Sequence, residues 1–353
     1  FKKILKIDPS RTEYLQTIAH NYQTMGQFDL ASQYYELYLE THPDDAGAYH
    51  AFGQFFEIQG NYQRGRELYE KALIIEPQNI SVRVDVADIE GKLGEDDNAL
   101  AKYDQALALA RTSQDKIRVH ESMKNFFSSR GQMTKAIEQL QIVWEEQEKS
   151  APPVTAQIMK LEDLFLFAQG GRGQEAFAII EKIARDLYPP LDGLINIGYL
   201  GIYNAMEDAE HASKALADLK SAIDTYQWET LRDEAWVGEG EIEENRGSYE
   251  AAIRCYEEYL KLDPTNQVMH RSIGRCFRQL KQNDKAVSSL GKMLKVYPND
   301  PKTHYELALV YDDMSKPVKA MEHLKKALDW WSKADMGFAP AKRARATLAD
   351  WES

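Results

Sequence analysis

The sequence is short of cysteine: Cys255 and Cys276 are the two in 353 residues, and no CxxC spacing occurs. That excludes a disulfide framework or a cysteine zinc site, and the expectation is two buried, reduced thiols in a cytoplasmic protein. No HExxH and no histidine pair suggests a metal, so neither metal nor cofactor is expected. No run approaches 18 apolar residues, and Phe1-Lys2-Lys3-Ile4-Leu5-Lys6 has neither an apolar signal core nor a cleavage site. A membrane span and a signal peptide are therefore not read. Positive charge is in deficit, with 43 Lys and Arg against 56 Asp and Glu and a net charge of −13. Nucleic acid is a poor partner, because phosphate binding needs clustered cations that release counterions. Gly-x-Ser-x-Gly is missing, and Gln169-Gly170-Gly171-Arg172-Gly173-Gln174 follows no strand, which removes a nucleophile elbow and a phosphate loop. No catalytic constellation rises above ordinary surface charge, so the chain is read as a non-enzyme.

What is present is a core-forming composition, 43% hydrophobic and 28% charged, with a mean hydropathy of −0.55. Amphipathic segments close on Leu-x-x-x-Pro, ending at Pro9, Pro43, Pro77, Pro264 and Pro298. The first three prolines are 34 residues apart, and so are the last two. With that proline at position 32, position 20 reads Ala31, Gly65, Ala99, Ala136, Ala176, Ala212, Ala252, Ala286 and Ala320. A small residue is needed where two helices cross in close contact, since a larger one overpacks the crossing. Position 8 reads Ala19, Gly53, Ala87, Gly240, Gly274 and Ala308, but Lys124, Leu164 and Leu200 in the middle repeats. Position 15 is glycine in Gly26, Gly60, Gly94, Gly131, Gly171 and Gly247, where a left-handed residue ends the first helix.

On these residues the chain resembles the tetratricopeptide repeat family from Phe1 to about Trp331, with about nine repeats. The resemblance implies an all-α, right-handed solenoid of antiparallel helix pairs, with a concave groove lined mainly by the first helix of each pair. Residues 1–11 read as the end of a truncated preceding repeat, with more sequence upstream. Residues 12–111 and 233–332 read as regular repeats, and 112–232 as degenerate ones. Residues 333–353 read as a linker and capping helix, with Pro340 suited to its first turn. Position-20 residues are spaced by 37, 40, 36 and 40 residues through the centre. Either a change of pitch or a hinge accounts for this, and apolar periodicity through Leu161, Leu164, Phe165 and Phe167, then Leu194, Ile197, Leu200 and Tyr203, favours the pitch change.

Groove positions 2, 5, 9 and 12 supply the candidate partner-binding residues. Arg271, Arg275 and Arg278 share one face of the eighth repeat, a row suited to an acidic partner. Acidic rows on either side, Glu234, Glu241 and Glu244 before and Asp312 and Asp313 after, favour pairing across repeats instead. Gln16, His20, Gln23, His50, Gln54 and Glu57 form a polar strip suited to an extended backbone. Co-chaperones of the family hold a terminal carboxylate with Lys and Asn where this chain has Gln16, His20 and Ala51, so that activity is not expected. The resemblance implies a scaffold or adaptor that takes a peptide or helix of a partner protein. The alternative is the regulatory arm of a larger enzyme with its catalytic domain upstream, because residues 327–335 are similar to the tails of bacterial signalling arrays.

Overall fold

The computed structural model describes residues 12–352 apart from Thr265, together with all side chains in that span except those of Glu13 and Glu234. The truncated repeat read over residues 1–11 lies outside the described residues. All regular elements among them are helical, and the chain divides into two compact units after Arg111.

The first unit holds three pairs: α1 (Leu15–Thr24) with α2 (Phe28–Thr41), α3 (Ala46–Ile58) with α4 (Tyr62–Ile75), and α5 (Ile80–Leu93) with α6 (Asp96–Leu109). The second unit begins with α7 (Ser113–Ser129) and α8 (Met133–Ser150). Its next pair has a divided first helix, α9 (Pro153–Leu161) and α10 (Phe165–Gln169), followed by α11 (Gly173–Ala184). Then come α12 (Ile195–Ala205) with α13 (Ala209–Tyr226), α14 (Glu234–Asn245) with α15 (Tyr249–Leu262), and α16 (Val268–Gln279) with α17 (Asn283–Val296). The ninth pair is α18 (Pro301–Asp313) with α19 (Pro317–Trp330), and α20 (Ala339–Glu352) ends the chain.

The turn inside each pair explains why the helices reverse where they do. All six glycines at position 15 have positive φ, from 69° to 86°. The three repeats without glycine hold Glu207, Lys281 and Ser315 in the same left-handed conformation, at φ 61°, 59° and 55°. The turn geometry is thus common to all nine described pairs, and three side chains bear its steric cost. Four first helices start on side-chain caps, with Asp45, Asn79, Thr112 and Asp300 accepting from Ala48, Val82, Asp115 and Thr303 backbone amides.

Position 20 is fully buried at Ala31, Ala99, Ala136, Ala176, Ala212, Ala252 and Ala286. Position 8 sits under the ring at position 24: a Cβ on Gly53 would stand 2.4 Å from Tyr69, and one on Gly240 2.5 Å from Tyr256. Where position 8 is instead Leu164, the side chain is fully buried and the first helix breaks. Leu166 and Phe167 there donate three residues back, to Asp163 and Leu164, which tightens the turn. The sequence reading carried apolar helical periodicity through Leu161, Leu164, Phe165 and Phe167; the structure divides that run, whereas α7 and α12 stay whole with Lys124 and Leu200 at the same position. Leu161 is buried, and Phe165, Leu194 and Ile197 are half-buried within the apolar clusters.

The C-terminal segment does more than cover the ninth pair. Residues after α19 reach the turn between α7 and α8, where the Asp335 amide donates to the Gly131 carbonyl at 3.0 Å. The Asp335 carboxylate accepts from the Thr134 amide at 2.7 Å and from its hydroxyl at 2.9 Å. Since Gln132 provides no side-chain cap for α8, a residue 201 positions away supplies it. Phe338, 1% exposed, seats against Gly131, where a Cβ would come within 2.5 Å of its ring. Arg130 is held between the Phe126 and Trp330 rings, 3.7 and 4.7 Å from their centroids. Ala341 and Ala344 of α20 are buried, and Tyr305 of α18 meets Thr347 at 3.1 Å. The fourth and ninth repeats are therefore clasped together within the second unit.

Two consequences are measurable. Ser315→Gly removes a left-handed side chain and is expected to raise stability by about 0.5–1 kcal/mol, read as a higher urea midpoint. Phe338→Ala should cost about 3–5 kcal/mol. It should also accelerate hydrogen exchange in residues 126–135, and exchange altered only in α20 would refute the clasp.

Candidate functional site

The first helices present their polar positions along one face in each unit. In the first unit α1 carries Gln16, His20 and Gln23, half-buried, exposed and half-buried in turn. Gln23 Oε1 accepts from the Tyr35 hydroxyl at 3.2 Å, whereas Gln16 and His20 engage no other described side chain through a hydrogen bond or ion pair. On α3, His50 Nε2 lies 2.6 Å from the buried carboxylate of Asp85, and the Gln54 amide lies 3.3 Å from the same nitrogen. The structure thus joins His50 and Gln54 in one network and leaves Gln16 and His20 outside it.

Sequence reasoning named Glu57 on this face but missed Asp85 and Asp88 beside it. Glu57 accepts from Tyr69 at 2.6 Å and pairs with Lys92 at 2.5 Å, while Tyr103 donates to Asp88 at 2.5 Å. Burial pushes the Asp88 carboxyl up to about 6, against the pull of Lys92 and the Tyr103 hydrogen bond. Asp88 stands at groove position 9, so its place in the register was the available signal.

In the second unit, Arg271, Arg275 and Arg278 of α16 share one face, and each ends on a carboxylate of a neighbouring repeat. Arg271 bonds Asp300 at 3.1 Å, and Asp300 also caps α18 through the Thr303 amide and hydroxyl. Arg275 reaches back to α14 and grips Glu244 through both Nε and Nη2, the latter at 2.8 Å. Arg278 reaches forward to Glu306 at 3.3 Å and Asp313 at 3.9 Å. Burial opposes the charge on Arg275, yet Glu244 outweighs it and holds the guanidinium firmly protonated. Arg275 still keeps 37% of its side chain in contact with solvent. Glu241 accepts from Asn204 at 2.8 Å, and burial raises its carboxyl despite that bond.

Lys302, in the first turn of α18, was not singled out from the sequence. It has no hydrogen bond or ion pair with any described residue, and burial, then Arg271 and Arg275, push its ammonium down to about 8. Groove position 2 of the ninth repeat was the signal for it. His304, two residues further along α18, is buried, with Nε2 2.9 Å from the Pro298 carbonyl and Nδ1 2.8 Å from His323 Nδ1. Cys255 and Cys276 are buried free thiols, and burial raises both. Among the described residues no group of three His, Cys, Asp or Glu is arranged to hold a metal ion, and no helix is long and apolar enough to cross a membrane.

Models of the tetratricopeptide repeat match residues 17–80, 233–266 and 272–300. A curated relative, the protein CTR9 homolog of Arabidopsis thaliana, is 22% identical over 281 residues, which are 78% of this chain and 25% of that protein. The chain spans about a quarter of the length of that relative. A crystal structure of the P58(IPK) TPR domain is 14% identical, covering 97% of this chain and 99% of that one, with a TM-score of 0.30. That of MamA is 18% identical over 46% of this chain and 91% of its own, with a TM-score of 0.35. A tetratricopeptide repeat protein from Parabacteroides merdae is 14% identical over 85% of this chain and 98% of its own, with a TM-score of 0.34.

The Asp88 carboxyl yields a pH test. Its folded pKa lies above the unfolded value, so from about pH 4 to pH 6 the folded state holds a proton that the unfolded state releases, and stability falls as pH rises through that window. Asp88→Asn is expected to stabilise the protein by about 1–2 kcal/mol at pH 7.5, after allowance for the water-exposed edge of this groove. Near pH 4 it should have no effect, and thermal melts of both proteins at the two pH values decide the matter.

Proposed function

We propose a function from the premise that this chain belongs to the tetratricopeptide repeat family. It is a protein-interaction scaffold, and in our reading its first helices receive a segment of a partner protein along their shared polar face. The observation that carries the reading is the state of the groove charges in repeats seven to nine. They are paired across repeats, yet Arg275 remains 37% exposed within its bidentate contact to Glu244. Such pairs add little to stability when water reaches them, so this concentration of charge suits recognition better than packing.

Arg271, Arg275 and Arg278 are then partner contacts that exchange a neighbouring carboxylate for one from the ligand. Gln16, His20, Gln23, His50 and Gln54 supply hydrogen bonds on the first unit. A reducing, cytoplasmic setting suits the buried thiols of Cys255 and Cys276.

Site-specific photo-crosslinking tests the reading. A photoreactive residue in place of His20 or Gln54, both exposed on first helices, is expected to capture a partner. The same residue in place of Glu70, exposed on the second helix α4, should not. Capture that is equal at all three sites, or missing at His20 and Gln54, would remove the first helices as the recognition face.

A further inference from the structure

Three histidines stand at the fourth position of their repeats, and two of them are satisfied by the side chain 19 residues further on. His120 Nδ1 lies 2.8 Å from Gln139 Oε1, and His304 Nδ1 lies 2.8 Å from His323 Nδ1. In repeat eight the corresponding residue is Ser289, and its hydroxyl donates at 2.8 Å to the backbone carbonyl of His270 instead. The half-buried His270 ring is thereby left without a hydrogen bond to any described residue.

Beside that ring a cavity of about 380 Å³ opens between the second helices α15 and α17, over the first helix α16. Leu260, Ile273 and Phe277 give it an apolar lining. Serine is shorter than the glutamine or histidine that fills its position in repeats four and nine, which accounts for the space.

The mouth of the cavity is basic within a chain of net charge −13. Lys261, Lys285 and Lys292 line it against Glu257. Lys261 is held by Glu258 at 2.5 Å, and Lys285 bonds Gln282 with its ammonium 5.4 Å from the centre of the Phe277 ring. Lys292 is exposed and has no hydrogen bond or ion pair with any described residue. Burial, and then the charge of Lys292, push the His270 ring below the ordinary histidine value. At pH 7 it is therefore a neutral imidazole with one donor and one acceptor uncommitted.

We propose that this cavity binds a small aromatic carboxylate, its ring against Ile273 and Phe277 and its carboxylate between the His270 N–H and the Lys292 ammonium. The apolar lining selects the ring, and the volume, at the small end of ligand pockets, suits one ring with a short chain. A neutral donor beside one unpaired ammonium selects a single carboxylate, whereas a phosphate dianion would bring a second negative charge against Glu257. The site lies between second helices and does not depend on the groove reading above.

Phenylpropionate, titrated into the full chain and followed through the imidazole C–H resonances, tests the site. The His270 resonance should move and saturate at roughly millimolar ligand, while those of His120 and His304, whose rings are already bonded, stay in place. Saturation transfer to the ligand's ring protons then compares ligands and variants. The neutral phenylpropionamide should bind about tenfold more weakly, and His270→Phe, which keeps a flat ring and removes the donor, should cost phenylpropionate about the same factor. Lys292→Gln, on an exposed residue, should leave the melting temperature unchanged and weaken binding about threefold. His270→Trp should fill the cavity and abolish binding. A silent His270, equal shifts at all three histidines, an amide that binds as tightly as the acid, or binding that survives His270→Trp overturns the proposal.

Discussion

The two helices of each pair cross where the second always carries alanine or glycine and, in six of the nine pairs, the first does too, and most other features follow from that contact. The left-handed residue at position 15 reverses the chain so that position 20 of the second helix falls on position 8 of the first. Where position 8 is Gly53 or Gly240, the rings of Tyr69 and Tyr256 fill the space that a Cβ would take. Their hydroxyls then emerge on the groove side, bonded to Glu57 and Glu244. Glu244 in turn holds Arg275. A steric requirement in the core thus orders a charged residue on the first-helix face, through one tyrosine and one carboxylate.

Charge on that face is paired between repeats rather than within one helix. Each arginine of α16 points to a different neighbouring carboxylate, two forward and one back, so the row is divided between the repeats on either side. In the first unit the balance is reversed. There Lys92 lies among Glu57, Asp85 and Asp88, and burial keeps Asp88 partly protonated near pH 6. The two units therefore offer faces of different electrostatic character within one chain of net charge −13.

Much of the fold was legible because it is written at fixed spacing. Positions 8, 15 and 20 identified nine crossings and six left-handed turns, and the same register located Glu207, Lys281 and Ser315 once the turn was seen to need that conformation without glycine. The arginine row was legible as a row, along with the acidic rows that now flank it. The break in the fifth repeat was not, because a leucine at position 8 is an ordinary helix former and announces no discontinuity. Lys302 and Asp88 were passed over for a related reason: each is a common charged residue at a groove position, and its unusual state comes from neighbours in other repeats.

By itself, then, the sequence determined what 34-residue periodicity can encode: which segments are helical, where each pair turns, which residues face the core and which the groove. These are local consequences of backbone sterics and of side-chain size at a crossing. The tertiary structure alone decided which charges meet and which are left without a partner. It also decided that Asp335 and Phe338 clasp the fourth repeat from about 200 residues away. Desolvation, ion pairing and such long-range closure depend on distances between repeats, and those distances accumulate from every crossing angle along the array.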